Sequence, residues 1–166
     1  MGAGLPAISS VTEAAQRPRS KRLRDGRVSI VGNAYVLTTV TARREPRFAN
    51  FDAARTAIRC LRESDNNGFT KTFAFVLMPD HLHWMISLER GTLADVMRRF
   101  KSLTAREINQ LHGTSGTDVW QPGFHDRALR TEDDLPAHAR YIVANPVRAR
   151  IVRRVSEYPF WDAIWL

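Results

Sequence analysis

Residues 69–88 read FTKTFAFVLMPDHLHWMISL. Phe69 to Met78 is apolar at neighbouring as well as alternate positions, the pattern of a central strand covered on each side. Pro79-Asp80 is a turn dipeptide, and His81 to Leu88 returns as a second strand. Two strands joined this tightly form an antiparallel hairpin. Side chains alternate along a strand, so Leu82, Trp84, Ile86 and Leu88 share one face, the core face. His81 and His83 then project together from the opposite face, side by side at a strand end.

Outward from this hairpin the elements follow in order. Ile30 to Thr41 alternates and is rich in Val, Tyr and Thr, as a strand should be. In Phe51 to Glu63, Phe51, Ala54, Ile58 and Leu61 fall at helical spacing, and Asn66-Asn67-Gly68 stops the helix. Cys60 on this helix reads as a small buried side chain. Thr92 to His112 is the strongest helical pattern, with Thr92 as cap and Asp95 three residues on. Its apolar stripe is Leu93, Val96, Met97, Phe100, Leu103, Ile108 and Leu111, while Arg98, Arg99, Lys101 and Arg106 point elsewhere. A turn at Gln121-Pro122-Gly123 leads into a short edge strand, Phe124 to Arg130. The last helix runs from Asp134 to Ala144 with Pro136 in its first turn, Asp133 or Asp134 as cap, and Pro146 ending it. The order β-α-β-β-α-β-α predicts an α+β sandwich, an antiparallel sheet with helices packed on one face. One domain covers 28–166. Residues 1–27, which end in Arg17, Arg19, Lys21, Arg22, Arg24 and Arg27, read as a flexible basic arm.

With 166 residues, 43% of them hydrophobic, the chain can bury a core without disulfide staples. The net charge is +8, and 22 of the 25 basic residues are arginine. Guanidinium groups grip phosphates bidentately and stack on bases, so this excess points to a polyanionic partner, a nucleic acid. The single cysteine excludes an internal disulfide and a multi-cysteine zinc site. No apolar run is long enough for a transmembrane helix, and the first 27 residues lack an apolar signal core. The expectation is a soluble protein of a reducing compartment.

Several residues carry possible chemistry. His81 and His83 read either as two surface histidines beside a turn or as two ligands of one metal ion. Tyr141 and Asn145 are four apart and share a helical flank with His138, beside a narrow stripe of Leu135, Ala139 and Ile142. There a tyrosine hydroxyl could attack an electrophile while the amide oxygen completes a metal sphere; equally, Tyr141 could be a half-buried aromatic and Asn145 a helix cap. Tyr35 and Tyr158 read as structural. Trp120, Trp161 and Trp165 either stack on bases or close the core, His125 and Asp126 flank the edge strand, and His112 ends a helix as a capping cation. The chain has no G-x-x-x-x-G-K-[ST] loop, no G-x-S-x-G elbow and no H-E-x-x-H.

Four segments stand in a telling order: Gly32-Asn33-Ala34-Tyr35-Val36-Leu37-Thr38, Phe75 to Met85, Val119-Trp120-Gln121-Pro122-Gly123-Phe124-His125-Asp126, and Tyr141 to Ala149. Together with Tyr158-Pro159-Phe160-Trp161 they resemble the REP-associated tyrosine transposases. That group lies among the IS200/IS605-like single-tyrosine transposases of the HUH nuclease superfamily. The resemblance implies a ferredoxin-like HUH fold, with Mg²⁺ or Mn²⁺ held by His81, His83 and Asn145, and Tyr141 as nucleophile. It implies a single-strand DNA endonuclease and strand transferase cutting at hairpin-forming repeats through a 5′-phosphotyrosine, in the cytoplasm at the nucleoid. Arg98, Arg99, Lys101 and Arg106 are candidate DNA contacts. The partner is single-stranded or hairpin DNA, and the working unit a monomer or homodimer, with no membrane. The family commonly has glycine where Arg150 follows Ala149, which puts the local turn in question. The rival reading is a non-catalytic DNA-binding regulator of the same fold; a hydrolase of small phosphoesters explains neither the arginines nor the tyrosine.

Overall fold

The computed structural model describes residues 28–130 and 134–166. Five strands, β1 (Ala34–Val40), β2 (Thr70–Met78), β3 (His81–Leu88), β4 (His125–Ala128) and β5 (Trp161–Ala163), form one antiparallel sheet in the order β4-β1-β3-β2-β5. The helices are α1 (Phe51–Asn66), α2 (Leu93–His112), α3 (Leu135–Val143) and a short α4 (Asn145–Arg148). The basic arm of residues 1–27 and Asp133 lie outside the described residues.

The central hairpin forms as its alternation predicts. Met78 lies opposite His81, and β3 pairs along its full length with β1 and β2. Leu82, Trp84, Ile86 and Leu88 are all buried on one face. Trp84 meets Phe100 of α2 at 5.5 Å, and Phe100 continues through Trp120 to Phe48 at 5.6 and 5.1 Å. The indole N–H of Trp84 donates to Thr72 Oγ1 at 2.9 Å, satisfying its one polar atom inside the core. Helices α1 and α2 pack together over this face, but the helices are not confined to one face as expected. Helix α3 adds to the other face, over β2 and β5, where Ala74, Val76 and Met85 are buried beneath it. Those buried residues are why β2 is apolar at successive positions. Among the described residues no helix covers the remainder of that face, over β1 and β4, and Val36, Thr38 and Val40 are only half-buried.

The caps agree with the sequence. Asn50, Thr92 and Asp134 accept from Ala53, Asp95 and Ala137 N–H groups, which places the α3 cap at Asp134. Three elements differ. β1 starts at Ala34 because Gly32, at φ +87°, turns the chain ahead of it. β5 was hidden in the aromatic tail, three residues being too few to show a period. Pro146 does not end the helical path: Ala144 breaks it, and Asn145 opens α4 with Pro146 in the first turn, where its missing N–H is not needed.

Candidate metal and nucleophile site

The turn that carries the histidine pair is clamped from behind. Phe48 N–H donates to the Pro79 carbonyl at 3.0 Å, and Thr41 donates to the Asp80 carbonyl through its N–H and hydroxyl at 2.8 and 3.0 Å. The start of β3 is thereby fixed before any ligand arrives.

On this support the two imidazoles stand with ring centroids 4.9 Å apart and planes nearly perpendicular. His81 Nδ1 lies 2.5 Å from Asp80 Oδ1. Partial burial opposes ionisation of Asp80, but hydrogen bonds and positive charge from His81 and Arg44 together hold its carboxyl below the usual range. An ionised carboxylate can only accept, so His81 Nδ1 is the donor of this pair, and its Nε2 is the ring atom left for another partner. His83 Nδ1 lies 2.9 Å from the hydroxyl of Thr38, its cross-strand partner. Burial first, then the charges of His81 and Arg148, lower the His83 pKa to about 4, so this ring is neutral at pH 7. Donation of Nδ1–H to Thr38 would turn its Nε2 lone pair outward as well. Two imidazoles whose Nδ1 atoms are engaged leave two Nε2 atoms, the donor type a divalent ion takes. Among the described residues no group of three or more His, Cys, Asp or Glu side chains is placed to hold a metal. Among these residues a third donor would be of another kind.

Helix α3 lies on the same sheet face as the histidines and brings Tyr141 there, 64% exposed. One turn on, Asn145 donates through Nδ2 to the Ile142 carbonyl at 2.8 Å, which turns its Oδ1 outward. Arg148 ties the group together. Its guanidinium lies 3.8 Å from the Tyr141 ring centroid and donates to the Tyr141 carbonyl and to Asn145 Oδ1, each at 2.6 Å. Its charge also reaches His83.

Along the uncovered part of this face the sheet register sets further side chains in rows. His125 of β4 lies opposite Thr38, and Thr38 opposite His83. Arg127 occupies the next row on that face, opposite Val36. His125 and Arg127 are both exposed.

The remaining tyrosines are buried and bonded. The Tyr35 hydroxyl accepts from Ile30 N–H at 2.8 Å, and that of Tyr158 donates to the Leu77 carbonyl at 2.6 Å. Trp120 is buried in the core, Trp161 donates to the Val155 carbonyl, and Trp165 rests on Phe73. Burial raises the Cys60 thiol to about 11, consistent with a packing role.

The four α2 cations stand on the opposite side of the sheet from the histidines and do not converge. Arg98 pairs with Asp95 at 3.1 Å, and Arg99 stacks 4.6 Å over the Phe69 ring. The Lys101 ammonium donates to the carbonyls of Gln121 and Gly123, pinning the turn before β4. Arg106 lines a groove between α1 and α2 with Arg55 and Arg59. Sequence reasoning missed Asp80, Thr38 and Arg148. Asp80 was legible as the neighbour of His81 and Arg148 as the third residue after Asn145, whereas Thr38 needed the β1–β3 register.

A histidine pair on a central strand and a tyrosine-bearing helix packed on the same face of an antiparallel sheet can be set beside known proteins. The family model for IS200-like transposases matches residues 30–145, and the chain belongs to that family. A REP-associated tyrosine transposase of Escherichia coli K12 is 32% identical over 87 residues, which cover 52% of this chain and 50% of the relative. The chain spans about half the length of the curated relatives it matches. A solved REP-associated tyrosine transposase bound to a REP hairpin has the same fold, with a TM-score of 0.67 and 24% identity, over 81% of this chain and 79% of that one.

Proposed function

We propose that the chain is a divalent-metal-dependent single-strand DNA endonuclease and strand transferase that cuts at hairpin-forming repeats. The observation that carries this reading is the anchored pair His81 and His83 on the sheet face over which α3 packs, the helix that bears Tyr141 and leads into Asn145 and Arg148. The solved relative bound to a REP hairpin supports hairpin DNA as the partner.

His81, His83 and Asn145 would hold Mg²⁺ or Mn²⁺ through two imidazole nitrogens and the carboxamide oxygen. When bound, the ion supplies positive charge to the non-bridging oxygens of a phosphodiester. The neutral ligands leave that charge undiminished. The Tyr141 oxygen attacks phosphorus and gives up its proton; the bond from phosphorus to the 3′-oxygen breaks, and the released 3′-oxygen ends protonated. The products are a 5′-phosphotyrosine and a 3′-hydroxyl. Because the phosphodiester energy is retained in the protein–DNA bond, a 3′-hydroxyl can reverse or redirect the step. A strand laid on the open half of the sheet must be single at the cut, since a duplex keeps its phosphates away from such a surface. His125 and Arg127 border that path. Arg98, Arg99 and Arg106, on the other side of the sheet, would meet flanking DNA, while Lys101 holds the turn that precedes β4.

The test is incubation with labelled single-stranded hairpin DNA and Mn²⁺, followed by a denaturing gel. A covalent adduct is expected with the native chain and with Tyr158→Phe, and none with Tyr141→Phe. Unchanged adduct in Tyr141→Phe would move the nucleophile elsewhere. Hairpin binding without any adduct would favour the non-catalytic regulator.

A further inference from the structure

Asn145 is held in one orientation by two hydrogen bonds. Nδ2 is committed to the Ile142 carbonyl, and Oδ1 receives the Arg148 guanidinium at 2.6 Å. The oxygen proposed as a metal ligand is therefore already bound to a cation. A guanidinium stays protonated at any pH a protein survives, so this partner does not leave by titration. A divalent ion on the same oxygen would stand at contact distance from a fixed positive charge, and the two repel.

The guanidinium is also a poor fit for permanent structure. Arg148 is exposed at the surface, and its three partners are a carbonyl, an amide oxygen and a ring face, all neutral. Phosphodiester oxygens offer it negatively charged acceptors that the planar fork can take bidentately. Because the same group stacks on Tyr141, its departure would free both the amide oxygen and the face of the phenol.

We infer that Arg148 is a displaceable cation that occupies Asn145 Oδ1 in the free protein and moves to a DNA phosphate, so that DNA binding and divalent-ion binding promote each other. Arg148 is in this sense a positioning residue acting through Asn145 and Tyr141. The inference rests on the reading of Asn145 as a ligand. It adds the order of events: an ion bound before DNA lacks its third protein donor.

Mn²⁺ binding, followed by the paramagnetic resonance of the free ion, tests this without turnover. All proteins carry Tyr141→Phe so that added oligonucleotide stays uncut. In the parent, a single-stranded hairpin oligonucleotide should tighten Mn²⁺ binding on the order of tenfold, within the usual range of coupling between sites. Arg148→Gln should bind Mn²⁺ comparably tighter with no DNA present, and oligonucleotide should then add little. Asn145→Ala should erase the effect of Arg148→Gln, whereas Arg150→Gln, the same charge loss two residues on, should leave Mn²⁺ affinity as it was. Equal Mn²⁺ affinity in parent and Arg148→Gln would overturn the inference, as would an equal gain from Arg150→Gln. His81→Ala with His83→Ala separates the two levels. If that pair leaves Mn²⁺ binding unchanged, the metal site itself is wrong; if it abolishes binding while Arg148→Gln has no effect, only the role of Arg148 falls.

Discussion

The two faces of β3 are built from alternate residues of the same eight, yet they obey different constraints. Toward α2, Leu82, Trp84, Ile86 and Leu88 are sealed, with at most 1% of each exposed. Toward α3, Met85 and Ser87 are covered, but His81 and His83 stand at the margin where α3 ends its cover and the sheet lies open. One face is fixed by packing, where any lost volume is felt. The other is fixed by hydrogen bonds from behind, through Asp80 and Thr38, and leaves ring nitrogens for something else. If the proposed function is right, stability and chemistry lie on opposite sides of one strand, and substitutions should separate them.

The largest separation is expected at the tyrosines. Tyr141→Phe should lower adduct formation by about a thousandfold or more, the scale of losing a nucleophile, with an unchanged urea midpoint because the ring is exposed. A shift of the midpoint with adduct retained would break the contrast. Trp84→Ala comes next. Removing a fully buried indole should cost about 3–5 kcal/mol in urea unfolding, whereas His83→Ala should cost on the order of 1 kcal/mol or less and still abolish cleavage. Equal destabilisation by the two would mean that the histidine face is as much core as the other.

A smaller effect tests the buried phenol. Tyr158→Phe removes the hydrogen bond to Leu77 and should cost about 1 kcal/mol. Burial pushes the Tyr158 pKa up to about 12. An unfolded tyrosine ionises near pH 10, so from about pH 10 the unfolded chain releases this proton while the folded chain keeps it. Stability supplied by the neutral phenol is complete below about pH 10 and drains as pH climbs toward about 12. The phenylalanine variant should show a shallower alkaline decline. An identical slope would place the titration elsewhere.

What could be seen in the sequence follows from how local each signal is. The hairpin and the shared face of His81 and His83 are period-two statements about adjacent residues, and they need no tertiary knowledge. The same holds for the Thr92 and Asp134 caps and the spacing of Tyr141 and Asn145. Thr38 lies 45 residues before His83 and meets it only through strand register. Lys101 reads as a candidate DNA contact, yet its ammonium reaches a turn 20 residues on, which no helical wheel shows. α3 on the second face was implied by the two-sided apolarity of β2, but the identity of the covering element was not. Arg148 is only three residues from Asn145, and reading Pro146 as the first turn of α4 rather than as an end is what puts the two side by side.

Arg150 offers the finest test, because it stands on the chemistry side of the molecule. Its backbone sits at φ +58°, in the left-handed region, where α4 closes with Arg150 N–H on the Val147 carbonyl and Ile151 N–H on the Pro146 carbonyl. This is the position where the family commonly carries glycine. A residue with a Cβ costs about 1–2 kcal/mol there, and glycine returns about 0.4–1 kcal/mol of that as unfolded-state entropy. Arg150→Gly should therefore raise stability by about 0.5 kcal/mol, a small rightward shift of the urea midpoint. Adduct formation should not change, since α4 keeps its closing bonds and Arg148 keeps its place. Stabilisation accompanied by a loss of cleavage would show that strain in this turn helps set Asn145. The two sides of the sheet would then not be separable by substitution.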